Sequence, residues 1–399
     1  MNFKKNIKLD YLHTFFRNLN FTQAIWLLYL ASRGFSLFEI GIFEMIFHIT
    51  SLSMEVPTGM IADLFGRKFS RILGVLSYIV YIFIMIYSQN IILVGIGFVF
   101  CGLSYTLESG SGEALVYDSL QLMNQEDKFM KVNGRKEVIY QLVSSLSFFV
   151  GGYIAMVSYD LSFLTTLVAM LIALTIIVLM KETPIIKSEI KKSFMILMSE
   201  QYKKTYQTAV ENKRIMFLII IGSMVAAPVT SIFFYFQNHL DLLGYDKGEI
   251  GLLLGAHALF AAIGGASAYK LEKKYNEKKI LYFIPLLMVV LFWLVLIDSI
   301  VFIPFVLLGF FDSIFYVVLN DYVNKIIPSE LRASILSVFG LVFSVIMIFI
   351  FPLIGFIGEY VNLKTSFLIL AIIVSVFYII LLFILRGDYV LTKTKKEVI

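Results

Sequence analysis

Gly59-Met60-Ile61-Ala62-Asp63-Leu64-Phe65-Gly66-Arg67-Lys68 interrupts a chain that is hydrophobic almost from end to end. The stretch sets one acid, two glycines and two adjacent bases between an apolar run ending near Thr58 and another resuming near Ile72. Glycine permits a tight turn and a close approach of backbones. Pro57, just upstream, predicts a helix stop. Charges between two apolar runs belong at a membrane surface. The stretch therefore reads as a short, charged turn joining two membrane helices.

The rest of the chain agrees. Of its 399 residues, 59% are hydrophobic and 15% are charged, and the mean hydropathy is +0.87. A soluble domain has roughly 45–50% apolar and about 25% charged residues, so this chain belongs in lipid. A spanning helix takes about 20 apolar residues, and a bilayer requires every backbone polar group to be satisfied internally. Alternating ten-residue segments of the membrane-barrel type are absent. The sequence thus predicts an all-α membrane protein. Apolar runs place twelve transmembrane helices at roughly 10–32, 35–58, 71–89, 91–121, 135–157, 160–180, 215–238, 248–270, 279–297, 300–325, 332–358 and 362–385. A Lys-rich stretch at 182–214, with room for an amphipathic surface helix, divides them into an N-terminal six-helix bundle over 1–181 and a C-terminal one over 215–399. The N-terminus is read as the approach to helix 1 and not as a signal peptide, because Arg17, Asn18 and Asn20 interrupt the apolar run. A single cysteine, Cys101, excludes an intrachain disulfide.

Of the 33 Lys and Arg residues, 29 fall on one side of these spans. Only Arg33, Lys247 and Lys364 fall on the other, and Arg17 lies within helix 1. This bias predicts both termini and the central stretch in the cytoplasm of a cell membrane. It also accounts for the net charge of +5 without nucleic acid.

The pattern G-x-x-x-D-x-x-G-R-K at 59–68 resembles the loop between helices 2 and 3 of the major facilitator superfamily. The resemblance implies two six-helix bundles related by a pseudo-two-fold axis along the membrane normal, with a small-molecule site between them. It also implies a cytoplasmic gate built on Gly59, Asp63, Gly66, Arg67, Lys68 and Arg71. In such a gate Asp63 pairs with Arg332 at the start of helix 11, and Asp118 at the end of helix 4 pairs with Arg67 or Arg71. Arg135 opens helix 5 as Arg332 opens helix 11, and Asp118 and Asp321 precede them, a weak internal repeat of acid then base. The plainer reading gives these charges only to solvation and topology. The run Ser147-Phe148-Phe149-Val150-Gly151-Gly152 keeps the final glycines of an exporter pattern on helix 5 but lacks its Gly-Pro step.

Ionisable groups inside a span cost at least about 2.5–3.5 kcal/mol each, so they are the candidates for substrate or proton work. Glu44, His48, Ser51 and Glu55 fall within about 60° of one another on helix 2. Glu44 and His48, at i and i+4, form either a proton-sharing pair or a structural polar seam. On helix 4, Glu108 and Glu113 point about 140° apart. Arg17 on helix 1 reads as a counter-charge to a buried acid, a contact for an anionic substrate, or a base snorkelling to water. Asp312 on helix 10 and His257 on helix 8 are the polar candidates of the second half, His257 reading more readily as a structural histidine.

No metal cluster, nucleotide loop or nucleophile constellation appears, and neither enzyme activity nor a cofactor is expected. Together these readings predict a monomeric secondary transporter working by alternating access. Proton-coupled export of small amphipathic or cationic compounds comes first. Uptake or facilitated movement of a small polar or anionic solute is the alternative.

Overall fold

The computed structural model describes residues 3–184, 212–326 and 332–386. All regular structure among them is helical. Two compact units emerge. One comprises Met1–Phe35, Ile42–Glu200 and Leu240–Gly255; the other comprises Ser36–Gly41, Gln201–His239 and Ala256–Ile399. The central stretch proposed from the sequence lies mostly outside the described residues, as do the tail bases Lys393, Lys395 and Lys396 and the side chain of Arg332.

The first unit contains α1 (Lys4–Asn18), α2 (Trp26–Ser32), most of α3 (Leu37–Phe65), α4 (Arg67–Tyr87), α5 (Ile91–Glu108), α6 (Ser111–Gln121), α7 (Phe129–Val157) and α8 (Tyr159–Val178). The second is built from α9 (Lys213–Leu242), α10 (Lys247–Lys274), α11 (Glu277–Leu294), α12 (Phe302–Ile326), α13 (Arg332–Tyr360) and α14 (Leu363–Arg386), with α9 and α10 giving their adjoining ends, 240–255, to the first. Ten helical segments among the described residues are long and apolar enough to cross a membrane, the pair α5–α6 counting as one. The pair α1–α2 and α11 correspond to the other two expected spans and fall outside those ten. Polar residues interrupt α1, and Glu277, Lys278 and Lys279 begin α11.

Three expectations from the sequence need correction. The first expected helix, 10–32, begins earlier, at Lys4, and is broken between Asn18 and Trp26. Non-helical backbone is tolerated at membrane depth only where protein satisfies it, and here neighbouring helices do so. Ser147 of α7 donates to the Asn18 carbonyl, Thr166 of α8 accepts from Phe21 N, and Asn20 donates to the Tyr78 hydroxyl of α4 at 2.6 Å. The expected span 91–121 keeps its bounds as one segment able to cross a membrane, but it is not one continuous helix: α5 and α6 part at Ser109-Gly110. Ser109, with φ −42° and ψ −143°, leaves the helical region there. Pro57 does not end the second span. It sits inside α3, which continues to Phe65, and the turn falls instead at Gly66. With φ +110° that residue adopts a backbone conformation few L side chains accept.

Side-chain caps fix several helix ends. Asn90 accepts from Ile92 N and Leu93 N at the start of α5, and Asn276 from Lys279 N at the start of α11. Arg33 donates to the carbonyls of Met85, Ile86 and Ser88, closing the last turn of α4. In the second unit a Cβ on Gly264 of α10 would lie 2.2 Å from the Phe310 carbonyl of α12, so the two backbones touch only because glycine stands there. Phe236 and Phe305 stack nearby at 4.1 Å between ring centroids.

Candidate functional site

In the first unit, α1 presents Asn6, Asp10, His13 and Arg17 at helical spacing of four, three and four residues, one polar stripe along the helix. The stripe meets Arg71, the fifth residue of α4, whose side chain is wholly buried. Arg71 is the hub. Its Nη1 lies 2.8 Å from Asp10 Oδ1. Its Nε and Nη2 donate to Glu108 Oε1 at 3.0 and 2.8 Å, and Nη2 also donates to His13 Nδ1 at 2.8 Å. Arg17 stands 4.0 Å from Glu108 Oε2 and donates to the Ser104 carbonyl, while Lys136 of α7 lies 3.7 Å from Asp10 Oδ2. Four helices thus converge on one buried ionic cluster. The Ser109-Gly110 break follows Glu108 directly, so that acid sits at the free end of α5.

Desolvating this many charges is costly, and only mutual pairing with good geometry offsets it. Several atoms remain buried without a hydrogen-bond partner among the described residues: both carboxylate oxygens of Asp10, His13 Nε2 and Arg17 Nη1. Asp10 has cations on both sides but no well-aligned N–H bond.

One turn before Arg71, Arg67 joins a second, more exposed set. It pairs with Asp63 at i−4 and lies 3.8 Å from Asp118 on α6. Of the two partners expected for Asp118, the structure brings Arg67 and gives Arg71 to the buried cluster. The Asp63–Arg332 contact falls outside the described side chains. Lys68 donates to the Val178 carbonyl at the end of α8. In exchange, Glu182 just past α8 accepts from Lys68 N and Phe69 N at the start of α4. A carboxylate at a helix N-terminus and an ammonium at a C-terminus both favour the helix dipole. Gly59 is helical with open space around it, so no turn requires it, whereas Gly66 faces the Glu182 carboxylate. Arg135 is exposed and forms no ion pair among the described residues.

Glu44 and His48 are both buried and 3.5 Å apart. Arg17 and Glu108 come together as well, but Glu113 is exposed on α6, away from them. In the second unit Asp312 is partly buried and makes no ion pair among the described residues. His257 Nδ1 donates to the Phe305 carbonyl at 2.8 Å between aromatic rings, a satisfied structural histidine.

Asp10, His13, Lys136 and Glu182 do not stand out as site residues in the sequence. The stripe on α1 is the available signal, hidden because it begins before the expected first span, with Asn6 outside it and Asp10 at its edge, so that Arg17 alone stands out.

Comparisons with known proteins address the whole chain. Residues 12–297 and 215–398 match the family model described as Major Facilitator Superfamily. An uncharacterized MFS-type transporter of Bacillus subtilis (strain 168), YxaM, is 23% identical over 263 residues, 64% of this chain and 63% of that protein's length. A solved nucleoside transporter, NupG in a mutant form, superposes with a TM-score of 0.78 at 13% identity, covering 97% of this chain and all of that one. A D-xylose-proton symporter gives 0.70 at 12% identity, with 96% and 97% covered. A POT family transporter in complex with 5-aminolevulinic acid gives 0.72 at 13% identity, with 96% of each chain covered. At these identities the solved structures establish the fold alone. The chain spans less than two thirds of the length of the curated Bacillus subtilis relative, but with the family match spanning nearly the whole sequence it belongs to the major facilitator superfamily and is a multi-pass membrane protein.

Proposed function

We propose that this protein is a proton-coupled secondary transporter that works by alternating access and exports small amphipathic or cationic compounds. It acts as a monomer with both termini in the cytoplasm. The observation that carries the reading is the pair of arginines one turn apart on α4. Arg71 is held in a buried set of acids and a histidine, and Arg67 in a half-exposed set with Asp63 and Asp118. Buried ionisable groups within spans mark ion and proton pathways. Exposed ion pairs at a helix end are weak enough to break and re-form during a transport cycle. One rigid helix ties the two sets, so a change of charge in the buried one is felt at the other.

The test uses inside-out vesicles energised by respiration, with a pH-sensitive dye and an empty-vector control. A panel of cationic and neutral amphiphiles should produce proton leakage that depends on the protein, and Glu108→Gln should abolish it. Silence across the panel would sink the export reading. The second reading, uptake of a small polar or anionic solute, is favoured by one observation: Arg17 Nη1 has no hydrogen-bond partner among the described residues and can meet an anionic group. Protein-dependent uptake of an organic anion, sugar or amino acid, lost in Arg17→Gln, would select it.

A further inference from the structure

Arginine carries only donors, so the 2.8 Å contact from Arg71 Nη2 requires His13 Nδ1 to be the acceptor. The imidazole is therefore neutral, with its one proton on Nε2, an atom buried without a hydrogen-bond partner among the described residues. A second proton has one place to go, the Nδ1 lone pair that Arg71 already uses. We infer that His13 takes up and releases the coupling proton, and that Arg71 and this proton occupy His13 Nδ1 in turn. The inference rests on the proton-coupled reading above.

The geometry provides for both states. Glu108 Oε1 stands 3.8 Å from His13 Nδ1, placed to accept from the imidazolium once Arg71 withdraws. Asp10 Oδ1, 2.8 Å from Arg71 Nη1, keeps a carboxylate for the displaced guanidinium. The step balances simply. One O–H bond of a hydronium ion breaks and one N–H bond forms at Nδ1, leaving a water molecule; the Arg71-to-His13 hydrogen bond breaks, and a His13-to-Glu108 hydrogen bond replaces it.

The charged groups acting on the ring are Arg17 of α1, Arg71 of α4, Glu108 of α5 and Lys136 of α7, with Asp10 of α1 paired to Arg71 and Lys136 behind them. Three cations already face two carboxylates, so a fourth cation drives α4 away from α1. Arg67 rides on the same helix one turn away, and its contacts with Asp63 and Asp118 respond. The protonation state of His13 is thus read at the exposed end of the first unit.

The chain has four histidines, few enough to resolve by side-chain nitrogen NMR on protein labelled at histidine and arginine in lipid nanodiscs, with His13→Gln and Arg71→Lys assigning the two signals. At neutral pH the His13 ring should show the Nε2-protonated tautomer. As the pH is lowered, ring protonation and the shift of the Arg71 side-chain signals should share one midpoint. In Arg71→Gln, the doubly protonated fraction at one mildly acidic pH should be several-fold larger than in the wild type. A proton found on Nδ1, or a ring that titrates while the Arg71 signals stay fixed, overturns the inference, and both readouts come from the wild type should Arg71→Gln fail to fold. In the vesicle assay His13→Gln keeps an acceptor for Arg71 but takes no proton, and should remove the dye response. A wild-type response that survives His13→Gln overturns this inference alone. Silence in the wild type overturns the proton-coupled reading and with it the coupling role of His13.

Discussion

Arg67 and Arg71 carry the same charge, one turn apart on one helix, yet their side chains are 28% and 0% exposed. That difference decides what each contributes. Removing Arg71 leaves Asp10 and Glu108 buried without their main counter-charge, and breaking a buried pair in this way costs about 3–5 kcal/mol. Removing Arg67 frees two acids that water reaches, a loss of about 0–1 kcal/mol. Thermal melts in detergent should therefore show Arg71→Ala far less stable than wild type and Arg67→Ala close to it; similar melts for the two would refute the placement of Arg71. A third pair sets the scale. Lys364 donates to Asp298 at 2.7 Å and holds its carboxyl below the usual carboxylate range. A lowered value in the folded state means the pair helps above the unfolded pKa of about 3.9 and is lost as the pH falls through the folded value. Because Asp298 is 41% exposed, solvent screening leaves little of this effect. Asp298→Asn should shift the melt only slightly at neutral pH and remove none of the stability that remains under strong acid. Arg17, Glu108 and the Glu44–His48 pair were legible because a charge within an apolar run stands out. Arg71 was legible only as a gate cation beside Arg67 and Lys68; its burial against Asp10, His13 and Glu108 was not, because that depends on α1 and α5, remote in sequence.

Helices were legible as elements because a span must be long and apolar, but their interruptions were not. The break between α1 and α2 survives through side chains 58 to 145 residues away, Tyr78, Ser147 and Thr166, which no local pattern around Asn20 announces. The same break explains Gly151. A Cβ there would lie 2.4 Å from the Phe21 carbonyl, in backbone that cannot retreat without losing the Thr166 bond. Gly151→Ala should cost about 1–3 kcal/mol, as overpacking does. Gly134, on the same helix, has nothing within 4 Å of where a Cβ would stand. Gly134→Ala should stabilise by about 0.5–1 kcal/mol through helix propensity alone. The opposite signs, read as melting temperatures on one background, check the seating of α7 against the broken first span. Equal effects would mean that Phe21 does not lie against it.

At the scale of the whole molecule, the question is whether a break changes the number of crossings. The pair α5–α6 covers 31 residues. At about 1.5 Å per residue this is roughly 46 Å of helix, against a hydrocarbon core of about 30 Å, enough for one crossing even with a bend and too little for two. The basic residues agree: the turn before α5 carries none, while Lys128 and Lys131 follow α6. Gln89 and Lys131 are both exposed, and the chain has one cysteine, Cys101, partly buried in α5. In a Cys101→Ser background, Gln89→Cys should react with a membrane-impermeant maleimide in right-side-out vesicles and Lys131→Cys only in inverted ones. Labelling of both from one side would turn α5–α6 into a re-entrant pair and destroy the even count of spans. Labelling on opposite sides but reversed would keep the fold and place the Arg67 set outside, where a cytoplasmic gate cannot be.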